Sequence, residues 1–237
     1  MSLLLTNDDG IDAPGLAALT RSVEVLRRPF QVVAPAGPQS GCGHMVTTHR
    51  AIVVDPRGVG RWAVHGTPGD CVRLGLNHLA KSTGWVISGI NAGGNLGTDI
   101  HHSGTVAAVR EGAIRGVPGV AVSHYIARGR TIDWDRASMW TWPILEALLA
   151  RPVTPGTLWN VNLPHLLADD PDPEVVLCPT DPSPLPLDFV HQANGAVYSG
   201  DYQNRARLPG HDVEVCFSGR IAVSLVIVTA SVDPRTL

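Results

Sequence analysis

The sequence predicts an α/β protein with an open, mostly parallel sheet flanked by helices and a β-hairpin appendage toward the C-terminus. Three features lead there. Short apolar runs at 3–5, 30–34, 85–88 and 117–123 alternate with stretches whose apolar residues recur at helical spacing. The first run stops at two adjacent carboxylates, Asp8 and Asp9, followed by Gly10 and then Pro14, an order that reads as strand, loop, helix. After Pro164 the composition shifts, with prolines clustered between 164 and 186 and short β-like segments beyond them. The expected organisation is an α/β core over 1–163 and an extension over 164–237 whose last strand returns to the core, not an independent domain.

Composition bounds the function. A chain of 237 residues buries a full core without staples, and 44% hydrophobic against 16% charged residues describes an ordinary globular protein. A net charge of -3 supplies no electrostatic case for a nucleic acid polymer as partner. No run approaches a membrane span, and polar residues by position 7 do not form a signal peptide, so no membrane partner and a cytoplasmic location are expected. Cys42, Cys71, Cys178 and Cys216 include no C-x-x-C pair, which argues against a zinc site and a disulfide framework and leaves free thiols, mostly buried.

The first strand places Asp8 and Asp9 at its carboxyl end, where open parallel sheets bind ligands. Two neighbouring carboxylates repel each other, and a bound cation keeps both ionised; the alternative is that they are turn and capping acids. Asp12 is the expected N-cap of a helix with Leu16, Leu19, Val23 and Leu26 on its buried side, and the strand at 30–34 completes a βαβ beginning. No G-x-G-x-x-G follows the first strand, so the crevice is not built for a dinucleotide.

The second strand leads to a Gly-rich loop at 35–44, where Ser40 offers a hydroxyl oxygen near the acidic pair, or is part of a plain turn. Segments 45–54 and 61–64 read as a hairpin. Thr67, Pro68 and Asp70 are N-cap, first position and first-turn acid of a helix running to about 78, which makes Asp70 a helix-start residue rather than a catalyst. The strand at 85–88 opens into a long loop of glycines and small polar residues, 89–105, a length that is usually functional. In it Asn91 offers an amide oxygen suited to a hard cation, His101 and His102 an acid or a phosphate contact, and Ser103-Gly104-Thr105 a phosphate cradle at the start of a helix over 106–115. A strand at 117–123, a helix at 133–149 and a strand at 159–164 complete the core. Hairpin strands at 196–202 and 212–217 and a final strand at 221–229 form the extension, which is placed to shape a substrate pocket or pair with another subunit.

Four stretches together resemble the SurE family, the survival protein E nucleotidases and acid phosphatases. They are Thr6-Asn7-Asp8-Asp9-Gly10-Ile11 with Ala13-Pro14-Gly15; Val33-Ala34-Pro35 leading to Ser40-Gly41; Gly66-Thr67-Pro68-Gly69-Asp70-Cys71-Val72; and Ser88-Gly89-Ile90-Asn91-Ala92-Gly93 through Asn95-Leu96-Gly97 to Ser103-Gly104-Thr105-Val106. The resemblance implies a Rossmann-like sheet and hydrolysis of phosphomonoesters, nucleoside monophosphates or a related nucleotide-like ester. It implies one divalent cation per subunit, Mg2+ or Mn2+ with Ca2+ as a stand-in in crystals, held by Asp8, Asp9, Ser40 and Asn91. Asp8 or Asp9 is then the group that orients or deprotonates water, and Asn95, His102, Ser103, Gly104 and Thr105 are the phosphate or substrate contacts. A homo-oligomer, dimer or tetramer, is expected. The chain departs from the family pattern at Ala36 and Gln39, where relatives commonly carry an acid and an arginine, which suits an unusual nucleotide-like substrate.

Two rival readings stand beside this one. A haloacid-dehalogenase-type phosphatase also ends its first strand in an aspartate, as a nucleophile, but the second acid two residues further on is absent. A metabolite-binding module on the same fold without turnover is the non-enzymatic alternative.

Overall fold

The computed structural model describes residues 2–228. The chain runs β1 (Ser2–Thr6), α1 (Pro14–Val25), β2 (Phe30–Pro35), β3 (Val54–Pro56), β4 (Arg61–Val64), α2 (Pro68–Leu74) and β5 (Thr83–Ala92). It continues with α3 (Gly104–Ile114), β6 (Gly119–His124), α4 (Trp134–Leu149), β7 (Thr157–Leu163), β8 (Val175–Leu177), β9 (Phe189–Gln192), β10 (Gly195–Tyr198), α5 (Asp212–Phe217) and β11 (Ile221–Ile227).

Nine of these strands form one sheet in the order β3-β4-β2-β1-β5-β6-β7-β11-β8. From β4 to β7 all neighbours are parallel, while β3 pairs antiparallel with β4 and β11 antiparallel with β7. The central strands are apolar on both faces because both faces are covered. Leu3, Leu5, Ile87, Val120 and Val122 pack with Leu16 and Leu19 of α1 and with Ile144 and Leu145 of α4. Leu4, Val33, Val86 and Ala121 face the other way, against Val72 of α2 and Val106 and Val109 of α3. Gly15 lets α1 approach β5, since a Cβ there would fall 1.9 Å from the Ile90 carbonyl oxygen.

The chain leaves β1 toward β2 and β4 on one side of the sheet, and leaves β5 toward β6 and β7 on the other. The order therefore reverses between β1 and β5, and the crevice outside their carboxyl ends is the natural ligand site of such a sheet.

Several local expectations change in the folded chain. Ala13, not Asp12, is the N-cap of α1, and Asp12 is exposed. The loop before it is held instead by Asn7, whose side chain donates to Gly10 O at 2.8 Å and accepts from Gly10 N–H at 3.3 Å. Of the segment expected as a β-hairpin arm at 45–54, only Val54 joins the sheet, in β3. Segment 212–217 is helix α5, not a hairpin strand, because Asp212 is drawn inward: its carboxylate accepts the N–H groups of Gly97 and Asp181 at 2.8 Å each and of Val213 at 2.9 Å. Six residues with apolar groups at alternate positions fit either periodicity, and these bonds to the first helical residue decide for the helix. The hairpin is formed by β9 and β10 instead.

Thr67 is the expected N-cap of α2, and with Asp70 it forms a reciprocal capping box. Asp70 also accepts from the Thr47 N–H and hydroxyl, both at 2.8 Å, so its charge is consumed in holding the chain. Cys71, Cys178 and Cys216 are buried, Cys42 is half-buried, and all four are free thiols. Among the described residues no helix is long and apolar enough to cross a membrane.

Candidate active site

Three loops meet at the strand reversal and are tied together through backbone groups. The Gln39 N–H donates to Asp8 O at 2.7 Å, joining the loop after β2 to the loop after β1. The Ala92 N–H donates to Asp9 Oδ2 at 3.1 Å, joining the end of β5 to the same acidic pair. Between them lies a cavity of about 270 Å³ lined by Asp8, Asp9, Ser40, Asn91, Asn95, His102, Ser103 and Gly104. Three larger cavities, about 390 and 500 Å³ against α4 and about 340 Å³ beside Arg73, Asn77 and Arg115, present no adjacent carboxylate pair and do not open at the reversal of the sheet.

Asp8 is 6% exposed and accepts a hydrogen bond from the Thr105 hydroxyl. Burial, with the neighbouring charge of Asp9 adding to it and the Thr105 bond opposing it, raises its pKa from 3.8 to about 6. Among the described residues neither Asp8 nor Asp9 has an ion-pair partner. Asn91 donates its amide to Gly93 O at 2.8 Å, which leaves its carbonyl oxygen as the uncommitted atom at the cavity. Ser40 is exposed on the opposite rim. The site thus gathers two carboxylates, an amide oxygen and a hydroxyl, without any described cluster of three or more His, Cys, Asp or Glu residues. All-oxygen donors with a surplus of negative charge fit a hard divalent cation and do not fit zinc.

The Ser103 side chain caps α3 by accepting the Val106 N–H at 3.0 Å, and its own O–H remains available to a ligand. The Gly104 N–H makes no hydrogen bond among the described residues. Gly104 has no substitute here: a Cβ would stand 2.9 Å from Asp8 Oδ2 and 3.1 Å from Cys42 Sγ, so only glycine lets the helix start come this close to the acidic pair. Thr105 is fully buried behind the cavity with its hydroxyl committed to Asp8. His102 stands exposed at the rim, and His101 does not line the cavity.

Asn95 is both wall and anchor. Its amide donates to Ser123 Oγ at 2.7 Å, its N–H donates to Asn162 Oδ1 at 2.8 Å, and its carbonyl accepts from Asn160 and Asn162 at 2.8 and 3.0 Å. Sequence reasoning missed this role of Asn160 and Asn162, which are both fully buried; two amides at alternate positions of one apolar strand were the signal. It also missed Asp99 and Leu185, which line the same cavity. Leu185 comes from the extension and lies far from any recognisable motif.

Residues 3–180 match the family described as Survival protein SurE, a match that includes every motif in the crevice. The chain belongs to the SurE family. Relatives at higher and lower similarity span most of it. The "Putative 5'-nucleotidase alr3139" of Synechocystis sp. is 51% identical over 94% of this chain and 98% of its own. The "5'-nucleotidase SurE" of Paramagnetospirillum magneticum is 36% identical over 94% of this chain and 88% of its own. The crystal structure of the SurE protein from Aquifex aeolicus superposes with a TM-score of 0.83 at 28% identity, covering 98% of this chain and 95% of that one. The SurE fold is therefore shared over nearly the whole length, the extension included.

Proposed function

We propose that this SurE-family protein is a metal-dependent phosphomonoesterase that hydrolyses nucleoside monophosphates, or a related nucleotide-like phosphate ester, to the alcohol and inorganic phosphate. Relatives named as 5'-nucleotidases support the class, a phosphoric monoester hydrolase. The metal dependence rests on one observation: Asp8, Asp9, Ser40 and Asn91 border a single cavity with the Ser103 end of α3. These four residues would hold one Mg2+ or Mn2+ ion. When bound there, such an ion supplies positive charge against the phosphoryl oxygens and acidity to a water.

The remaining steps belong to the protein's own groups. The Ser103 hydroxyl and the Gly104 N–H, at the positive end of α3, hold the phosphoryl oxygens and fix the ester for in-line attack. Asp9, less enclosed than Asp8 and oriented by the Ala92 N–H, orients the attacking water and accepts its proton. Thr105 keeps Asp8 in place. His102, exposed at the rim of the same cavity, supplies the proton to the departing alkoxide.

The test is phosphate release from a nucleotide panel with Mg2+, Mn2+ or chelator, comparing wild type with Asp9→Asn. Release that requires the cation and collapses in Asp9→Asn supports the reading. Chelator-resistant turnover, or a phospho-aspartate trapped on Asp8, overturns it in favour of an aspartyl nucleophile. Binding without turnover under every condition favours the metabolite-binding module.

The protein is also proposed to act as a homo-oligomer. The hairpin β9–β10 is exposed at every position and presents Phe189, Val190, Val197 and Tyr198 to solvent. Light scattering that returns the monomer mass of 25.1 kDa at micromolar concentration would refute this.

A further inference from the structure

Asp99 shares the cavity with Asp8 and Ser103, yet a carboxylate in a phosphate pocket repels the phosphate. Its surroundings hold the carboxylate in one orientation. Oδ2 accepts three hydrogen bonds: from the Leu96 N–H at 3.1 Å, the Tyr202 hydroxyl at 2.6 Å and Arg205 Nη1 at 2.9 Å. Arg205 is a fully buried arginine whose guanidinium lies 5.0 Å over the Tyr202 ring, and Asp99 is its one ion-pair partner among the described residues. Burial and the Asp99 charge push the Tyr202 phenol far above its ordinary range, so it stays a donor.

With Oδ2 saturated, Oδ1 has no donor among the described residues, and the side chain keeps 11% exposure at the cavity it lines. The Asp99 backbone carbonyl also accepts the N–H groups of His102 and Ser103 at 3.0 and 3.1 Å. The free oxygen and the phosphate-binding turn are therefore parts of one short, rigid unit.

An anionic acceptor held in a fixed orientation takes a hydroxyl donor and rejects another acceptor. We propose that Asp99 Oδ1 is a specificity-determining acceptor for a hydroxyl on the alcohol half of the ester, so that the site selects polyol leaving groups, ribonucleosides among them. Tyr202 and Arg205 are its positioning residues. This inference rests on the phosphatase reading and adds to it which esters are preferred. A site built around a substrate hydroxyl discriminates strongly against the analogue that lacks it, because its own acceptor is then left unpaired.

The experiment compares kcat/KM for AMP, 2'-deoxy-AMP, 3'-deoxy-AMP and p-nitrophenyl phosphate, first with wild type, where no folding defect intervenes. Loss of about 10- to 100-fold for at least one deoxy analogue is expected, the range of a hydrogen bond to a charged acceptor. The second protein is Asp99→Asn combined with Arg205→Met, so that no buried guanidinium is left unpaired. In it the amide oxygen stays with the Leu96 and Tyr202 donors, which turns the amide N–H2 toward the cavity and replaces the acceptor by a donor. The preference for AMP over the deoxy analogue, and the ratio of AMP to p-nitrophenyl phosphate, should both fall by a similar factor. Equal kcat/KM for AMP and both deoxy analogues in wild type overturns the proposal, as does discrimination that survives in the double variant. If wild type releases phosphate from none of the four esters, the phosphatase reading itself fails and takes this inference with it.

Discussion

Replacing Asp8 by Asn should make the cation-free protein more stable while removing its response to divalent ions. Asp8 is buried beside Asp9, and its pKa rises from 3.8 to about 6, chiefly through desolvation. Between those values the folded chain binds more protons than the unfolded one, so stability from this group is full below about pH 4, falls as the pH climbs to 6, and is level above it. At about 1.4 kcal/mol for each pH unit between 3.8 and about 6, keeping Asp8 ionised at neutral pH costs the fold about 3 kcal/mol. Asparagine avoids that cost and keeps an oxygen for the Thr105 hydroxyl. In a chain of 237 residues about 3 kcal/mol corresponds to a Tm higher by roughly 6 to 12 °C. Circular dichroism melts with chelator at neutral pH measure it directly. Wild type should gain Tm when Mg2+ or Mn2+ replaces the chelator, and Asp8→Asn should not. An Asp8→Asn protein that melts at or below wild type in chelator would refute the electrostatic reasoning, whatever the enzyme assay says.

Other substitutions separate the scaffold from the site. Gly104→Ala forces a methyl to within 2.9 Å of the Asp8 carboxylate; phosphate release should drop on the order of a hundredfold with a stability loss of about 1 to 3 kcal/mol, read from kinetics and melts of one preparation. Asn162→Leu strips the Asn95 N–H of its acceptor and its carbonyl of one donor inside the core, so denaturant unfolding should show a loss of about 1 to 3 kcal/mol together with reduced turnover. Thr67→Ala removes the cap of α2 and the bond to Met45 O, costing about 1 to 2 kcal/mol in the same unfolding assay, while KM stays at the wild-type value because Thr67 lies outside the cavity.

Residues near one another in the chain were readable because local chemistry specifies them. The runs at β1, β2 and β6 are apolar on both faces and admit little but a buried parallel strand. Thr67, Pro68 and Asp70 announce a helix start through bonds that span three residues. Asp8, Asp9 and Asn91 were legible as candidate ligands because they sit at strand ends: Asp8 and Asp9 in the turn just after β1, Asn91 one residue before the end of β5. What the chain alone left open depends on groups far apart in sequence. Segment 212–217 has an ambiguous period, and the N–H groups of Gly97 and Asp181 turn it into α5 by claiming Asp212. Asn160 and Asn162 read as the polar end of a strand until Asn95, more than 60 residues earlier, is found between them. Asp99 looked like any loop acid, and its partners Tyr202 and Arg205 lie over 100 residues away. Short-range bonds and side-chain periodicity are properties of the sequence, so elements and strand-end ligands follow from it. Burial, and with it the charge state of Asp8 and the orientation of Asp99, exists only once distant segments exclude water from the same volume.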